Sequence, residues 1–220
     1  MDLQILFEDK DVTVCVKPRG LLSEDAQNGE KGIIGLLSDR AGKPLHLLHR
    51  LDRNVSGVMV FANNKKSASA LSKAIQDGQF YKEYLAVTDG VPAERRGVYK
   101  DLLFKDSKKN RSYVVNRVRK GVREASLEYK VREDNGEKAL VQVILHTGRT
   151  HQIRVHMAYI GHPVAGDAVY GPKKVIEYLG GQCLHAGLIG FKHPRTNKYI
   201  EITSELPDYF TDFIRRIKND

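Results

Sequence analysis

Cysteine is nearly absent from this chain of 220 residues. Only Cys15 and Cys183 occur, far apart and in no paired motif, which excludes a disulfide framework and leaves two small hydrophobic side chains suited to a reducing compartment. Missing too is any apolar run long enough for a membrane-spanning helix, and the opening Met1-Asp2-Leu3-Gln4 carries no signal-peptide pattern. The expectation is a cytoplasmic protein, in which the sequons at Asn54 and Asn110 carry no glycan. Repeats, low-complexity tracts and linkers are lacking, so one domain spanning 1-220 is the expected organisation. Acids are in deficit: 27 Asp+Glu against 36 Lys+Arg leave a net charge of +9. That excess suits a polyanion, RNA or DNA before an anionic membrane, more than a small metabolite.

What is present is a succession of short strands with a few helices. Ile5 to Phe7 and Val12 to Lys17 flank the polar turn Glu8-Asp9-Lys10-Asp11, so the chain opens as an antiparallel hairpin, closed by Pro18-Arg19-Gly20. Residues 65–77 (KKSASALSKAIQD) predict a helix stopped by Gly78. Lys82 to Val87, Val98 to Phe104, Ser112 to Asn116, Ala125 to Arg132 and Leu140 to Leu145 predict strands. The charged run 105–111 (KDSKKNR) reads as a solvated hairpin tip or as a basic finger on an RNA backbone. Thr150 is expected to cap a helix that runs to Ile160, with Ile153, Met157 and Ile160 as its apolar stripe and Gly161 and Pro163 as its stop.

Two constellations bear chemistry. In His49-Arg50-Leu51-Asp52-Arg53-Asn54-Val55-Ser56-Gly57 one carboxylate stands between two arginines. Flanking cations favour the ionised acid, so Asp52 suits a nucleophile or base better than a proton donor; taken alone, the same string reads as a solvated loop of mutually paired charges. The second stretch, 145–171, places Arg154 in the first turn of the predicted helix and Arg149 at its entrance, where phosphate oxygens would meet its charge and free N–H groups. His146, His151, His156 and His162 do not make a metal site, because spacing of five residues does not put two imidazoles on one helical face and no cysteine or carboxylate joins them at ligand spacing. They are expected to form hydrogen bonds or touch RNA. Gly57, Gly148 and Gly166 read as turn residues.

HRLDRNVSG, YKEYLAV at 81–87, TGRTHQIRVHMAYIGHPVAGDAVYG and LHAGLIGFKHP at 184–194, behind the opening ILFEDKDVTVCVKPRGLL, resemble the RluA-type pseudouridine synthases in the same order. The resemblance covers about residue 4 to about residue 208. One position departs from the pattern: Val55 stands where the family usually has Thr, so a hydroxyl that helps fix the loop is missing. The chain also begins directly with the catalytic domain, without the small S4-type RNA-binding domain that many relatives carry. The resemblance implies an α+β fold, a mixed, mainly antiparallel sheet in two halves with flanking helices and a central catalytic cleft. It implies Asp52 as the catalytic aspartate, Tyr84 as the active-site tyrosine, Arg154 as the arginine that pairs with the aspartate, and Ile153 as the apolar lining of the uracil pocket. Arg50 matches an arginine that fills the gap in the RNA stack when the target nucleotide swings out; Arg53, Arg149 and His151 are expected to contact the substrate.

The implied activity is isomerisation of uridine in structured RNA, ribosomal or transfer RNA, by a monomer that needs no cofactor and no metal. The N1 to C1′ bond breaks, the uracil turns, and it rejoins through C5 without net redox change. Asp52 can attack C1′, attack C6 or remove the 2′ proton, and the sequence leaves these routes open. Tyr84 offers a ring to stack on uracil and a hydroxyl to relay a proton. Reaching the base costs a few kcal/mol of unstacking, which favours already strained RNA. A glycoside hydrolase is the first rival, but it needs two carboxylates and Asp167 is the only second acid borne by a motif. A non-catalytic RNA-binding or RNA-folding protein on the same fold is the second.

Overall fold

A computed structural model describes residues 3–172 and 181–219. The elements run β1 (Ile5–Glu8), β2 (Val12–Lys17), α1 (Ile33–Ala41), β3 (His46–Leu47), β4 (Ser56–Ala62), α2 (Lys65–Gln76), β5 (Tyr81–Asp89) and β6 (Arg96–Asp106). They continue with β7 (Arg111–Val115), β8 (Val122–Asp134), β9 (Lys138–Leu145), α3 (Gln152–Tyr159), β10 (Leu184–Lys192), β11 (Tyr199–Thr203) and α4 (Asp208–Asn219). The chain forms two compact units, Met1–Lys82 with Ala186–Glu205, and Glu83–His185 with Leu206–Asp220. The sheet is mainly antiparallel and helices are few, as the family resemblance implies. No helix among the described residues is long and apolar enough to cross a membrane.

In the first unit the opening hairpin forms because Asp9 Oδ1 accepts the N–H groups of Asp11 and Val12, at 2.7 and 2.9 Å, and so closes the turn between β1 and β2. β2 then pairs antiparallel with β4 along its length, and the strands follow the order β1-β2-β4-β10-β11, with β3 also on β4. Every residue of β4 is buried, so it reads as a continuous apolar run rather than as an alternation. Val14, Val60, Leu71, Phe80 and Phe191 pack in one core, where the Phe80 and Phe191 rings stack with centroids 5.2 Å apart. Each such side chain contributes about 1.5–3 kcal/mol by leaving water. Ser67 and Leu71, one turn apart, form the buried face of α2, and the Asn64 side chain accepts the Ser67 N–H at 2.9 Å to cap it.

In the second unit the order is β5-β9-β8-β6-β7, with every neighbouring pair antiparallel. The predicted strands are all present; four run longer than expected, and β7 keeps the expected length but begins one residue earlier and omits Asn116. The helix after β9 differs from its expected form. Thr150 does not cap α3; His151, at φ 56°, occupies the N-cap position and makes no side-chain capping bond. Gln152 serves the approach instead: its Oε1 accepts from the Arg149 N–H and the Thr147 hydroxyl, at 2.9 and 2.7 Å, while its Nε2 donates to Ser126 O at 3.0 Å. All residues from Gln152 to Met157 are buried, so α3 has no solvent face over that span, and the apolar stripe read from the sequence is only part of its packing.

Gly57 closes the Asp52 motif but is not a turn residue. It lies inside β4 at φ 123°, and a Cβ there would stand 2.2–2.7 Å from the backbone of Ala186 on β10. Only glycine allows both that φ and that approach. Gly57→Ala is expected to destabilise the protein by about 3 kcal/mol or more, combining a strained φ with an overpacked strand contact. Urea titration checks this, and an unchanged midpoint would refute it.

Candidate active site

Asp52 belongs to the first unit, on a half-buried turn that its own backbone closes: its carbonyl accepts the Val55 N–H at 3.0 Å. Val55, where a hydroxyl was expected, is 2 % exposed and anchors the turn in the core by its methyl groups. On the entry side, Ser23 grips Leu51 twice, donating from Oγ to Leu51 O at 2.7 Å and accepting the Leu51 N–H at 3.0 Å. The preceding His49 accepts the Val60 N–H at Nε2, at 3.1 Å, which ties the loop to β4. Burial, aided by the charge of Lys82, pushes His49 down to about 4, so it stays neutral and keeps that acceptor. On the exit side, the Arg53 carbonyl accepts the Gly20 N–H at 2.9 Å and the Lys17 ammonium at 3.0 Å.

The cations beside Asp52 in sequence have other carboxylate partners in space. Arg50 pairs with Glu24 and Arg53 with Glu30, each at 2.6 Å and each on the surface. Lys17, which sequence reasoning passed over, is a cation that feels Asp52 electrostatically. Its side chain is fully buried, and its Nζ donates to the carbonyls of Pro18, Leu21 and Arg53 at 2.9, 2.7 and 3.0 Å. Three acceptors match the three hydrogens of an ammonium. The one signal in the sequence was a lysine ending an apolar strand directly before Pro18.

The other residues singled out by the sequence lie in the second unit. Tyr84 is buried on β5 opposite Val143 of β9, and Ile153 and Arg154 are buried on α3. Arg154 is held as a fork: Nε and Nη2 donate to the two oxygens of Asp167 at 2.6 and 2.9 Å, the carboxylate side chain having no exposure. Burial alone would push the Asp167 carboxyl up; hydrogen bonds from Arg154 and its charge, with N–H groups of Val169 and Tyr170, outweigh burial and hold it below its ordinary value. The Tyr170 ring lies 5.2 Å under the Arg154 guanidinium. Its phenol oxygen accepts the Ser112 N–H at 2.7 Å and stands 3.0 Å from Nδ1 of His151. Arg149 is exposed, with Nε donating to Glu124 O at 2.7 Å. Asp167 and Tyr170 were within a quoted motif, but nothing in their spacing told that they would brace Arg154.

Three of the four histidines stand beside hydrogen-bonding groups, whereas the buried Nδ1 of His162 has no hydrogen-bond partner among the described residues. His146 stands beside Glu128, His151 beside Tyr170, and His156 is fully buried with Nδ1 at 2.8 Å from Gln152 O, out of reach of any RNA. Asp9, Asp11 and His193 have ligand atoms within 4.8 Å of one another, the geometry of a metal group. Their charge is already met by a side chain: Arg195 Nε donates to Asp11 at 2.5 Å, which first of all holds the Asp11 carboxyl down at about 2, and His193 Nε2 donates to Asp9 at 3.0 Å. The same His193 accepts N–H groups of Arg195 and Thr196 at Nδ1, so the cluster is an ion-pair lock between two turns. Neither cysteine forms a disulfide and both are buried, and burial pushes the Cys15 thiol up to about 12, which makes it inert as a nucleophile.

Lys17 makes the loop sensitive to pH. Burial pulls it from 10.5 down to about 7, against the upward pull of Asp52. Between those values the unfolded chain holds the proton more tightly, so stability rises with pH across the window and is lost as pH falls toward 7. The stability of wild type relative to Lys17→Met is therefore expected to grow from about pH 7 to about pH 10 in paired urea titrations. A difference independent of pH would mean that the ammonium keeps its proton throughout.

Comparison with known proteins identifies the family. Residues 11–159 match the family described as RNA pseudouridylate synthase. The RNA pseudouridine synthase YlyB of Bacillus subtilis is 37% identical over 230 residues, covering 100% of this chain and 74% of that protein. The ribosomal large subunit pseudouridine synthase C of Buchnera aphidicola (subsp. Schizaphis graminum) is 32% identical over 225 residues, covering 97% and 70%. Among solved structures, human RNA pseudouridylate synthase domain containing 4 superposes with a TM-score of 0.79 at 26% identity, covering 98% of this chain and 93% of that one. The chain belongs to the RluA-type RNA pseudouridine synthases, isomerases that convert uridine in RNA to pseudouridine.

Proposed function

We propose that Asp52 supplies the catalytic carboxylate of this isomerase and that its substrate is a uridine in structured RNA, ribosomal RNA above transfer RNA. The observation that carries the first part is the Asp52 turn. Ser23, His49, Gly20 and Lys17 fix its backbone on both sides through hydrogen bonds, which leaves the carboxylate as the group the loop is built to present. Support for the second part comes from relatives named as ribosomal large subunit pseudouridine synthases.

In this reading Asp52 attacks the nucleotide or takes its proton while the N1 to C1′ bond opens, and the freed uracil turns before C5 bonds to C1′ and gives up its proton, N1 gaining one in turn. Tyr84 stacks on the base and Ile153 bounds its pocket. Arg154 serves as the aspartate's partner: Nε and Nη2 are committed to Asp167, so the plane of its guanidinium is fixed. Arg50 fills the vacated stack, and Arg53, Arg149 and His151 contact the RNA. The commitment of Asp167 to Arg154 weighs against a two-carboxylate hydrolase, because a carboxyl so bound serves neither as acid nor as base.

Asp52→Asn is expected to abolish pseudouridine formation on large-subunit ribosomal RNA, read by carbodiimide stops, while RNA affinity stays within a few fold. Wild-type turnover in this variant would remove Asp52 from the chemistry. Arg154→Lys keeps the charge but loses the planar fork, so a single ammonium replaces two guanidinium bonds to Asp167. Turnover is expected to fall by about two orders of magnitude or more, with an unshifted circular dichroism spectrum, since effects of this size follow loss of a preorganised donor. Near wild-type rates would reduce Arg154 to a structural residue. Carbodiimide mapping of total RNA from cells with and without the gene identifies the substrate, and a stop lost only in transfer RNA would overturn the ribosomal assignment.

A further inference from the structure

Four cations of the first unit are taken up by acids: Arg40 pairs with Glu8, Arg50 with Glu24, Arg53 with Glu30 and Lys31 with Asp39. The strands β6, β7 and β8 of the second unit show the opposite. Between Lys105 and Arg123 stand eight Lys or Arg and one acid, Asp106, in a chain whose whole net charge is +9. Among the described residues none of these eight cations forms an ion pair. Asp106 is occupied by the turn, since its Oδ1 accepts the N–H groups of Lys108 and Lys109 at 3.0 and 3.1 Å.

Register brings the two basic segments to one end of the ribbon. β7 lies on one side of β6, with Asp106 opposite Arg111, and β8 lies on the other, with Phe104 opposite Val122. Residues 116–121 therefore cross over the end of β6, and the Arg119 guanidinium rests 4.7 Å above the Phe104 ring. Arg111 sits between two rings, 4.9 Å from Tyr170 and 5.7 Å from Tyr113, and its buried Nε has no hydrogen-bond partner among the described residues. A guanidinium held by a ring is oriented without spending its N–H groups, which suits recognition of phosphate. A membrane surface would need a broad apolar face beside the cations. Between Lys105 and Arg123 the exposed large hydrophobics are Tyr113 and Val118 alone.

We propose that the tip of the β6–β7–β8 ribbon is an RNA-binding surface that grips the phosphate backbone of the substrate. It deepens the reading of RNA as substrate and rests on it. The test uses full-length protein and large-subunit ribosomal RNA in filter binding across a salt series. A variant with Lys108→Gln, Lys109→Gln, Arg117→Gln and Lys120→Gln is expected to bind about ten-fold more weakly, and the slope of log K against log salt should flatten by about three, at 0.7–0.9 per lost phosphate contact. The matched variant with Lys31→Gln and Arg40→Gln, cations already paired with acids, should keep the wild-type slope. An unchanged slope in the ribbon variant overturns the proposal, as does an equal loss in the matched variant, which would mean charge without location. So does ribbon-dependent binding to phosphatidylserine vesicles with RNA binding intact. Because affinity is read without turnover, a wild type that makes no pseudouridine yet loses RNA with the ribbon cations sinks the catalytic reading alone.

Discussion

An ammonium taken out of water has to be given back its hydrogen bonds, and the Asp52 loop is built around that requirement. Lys17 is fully buried, and an isolated charge in that position would cost several kcal/mol. Three carbonyls offset the cost, and they come from three places: Pro18 and Leu21 after β2, and Arg53 beyond Asp52. The ammonium thus clips the exit of β2 to the carboxylate loop. Satisfying its own hydrogens fixes where the Arg53 carbonyl stands, and the neighbouring residue, Asp52, is the charge it feels most. Gly57 extends the same constraint into β4, where close approach to Ala186 leaves the far end of the motif no room to shift. A motif that looks in sequence like a flexible charged loop is in the fold a backbone held at nearly every residue.

Arg154 is prepared by the same kind of physics with the signs exchanged. A buried guanidinium needs a carboxylate, and Asp167 gives it two oxygens while taking N–H groups from Val169 and Tyr170 to complete its own shell. The Tyr170 ring covers one face of the guanidinium and its hydroxyl engages Ser112 on β7, so strand, helix and motif loop meet on one aromatic side chain. Removing Asp167 would leave an uncompensated buried charge, which makes it a structural acid however suggestive its place in the sequence.

The extent to which this was legible follows from which signals are local. The opening hairpin, α2 and strands β5 to β9 announce themselves by alternation, helix formers and turn residues, all properties of neighbouring positions. β4 and β10 do not, because strands buried on both faces carry continuous apolar runs without a period. The N-terminus of α3 misled for a related reason: Thr150 has the composition of a cap, but His151 adopts the left-handed conformation and Gln152 supplies the bonds, a choice made by tertiary contact with Ser126. At the site, Asp52 and Arg154 came from their motifs. Lys17, Ser23 and Tyr170 did not, since each acts on backbone or charge far away in sequence. Adjacency in sequence assigned Arg50 and Arg53 to Asp52, whereas long side chains on a surface turn reach Glu24 and Glu30.

That last difference changes what the net charge means. A basic chain is drawn to polyanions as a whole, yet a cation paired with a glutamate releases no counterion when RNA arrives unless the pair first breaks. The surface arginines on either side of Asp52 are thus poor sources of nonspecific affinity. Eight cations without an ion pair among the described residues lie on the ribbon formed by β6, β7 and β8, where Asp106 caps the narrow turn between Lys105 and Arg111. Such crowding destabilises the isolated protein slightly and is relieved only by a partner of opposite sign. Stability spent at one end of the second unit is in this way recovered on binding. The segregation lets attraction to RNA strengthen or weaken through the ribbon without touching the groups that hold Asp52.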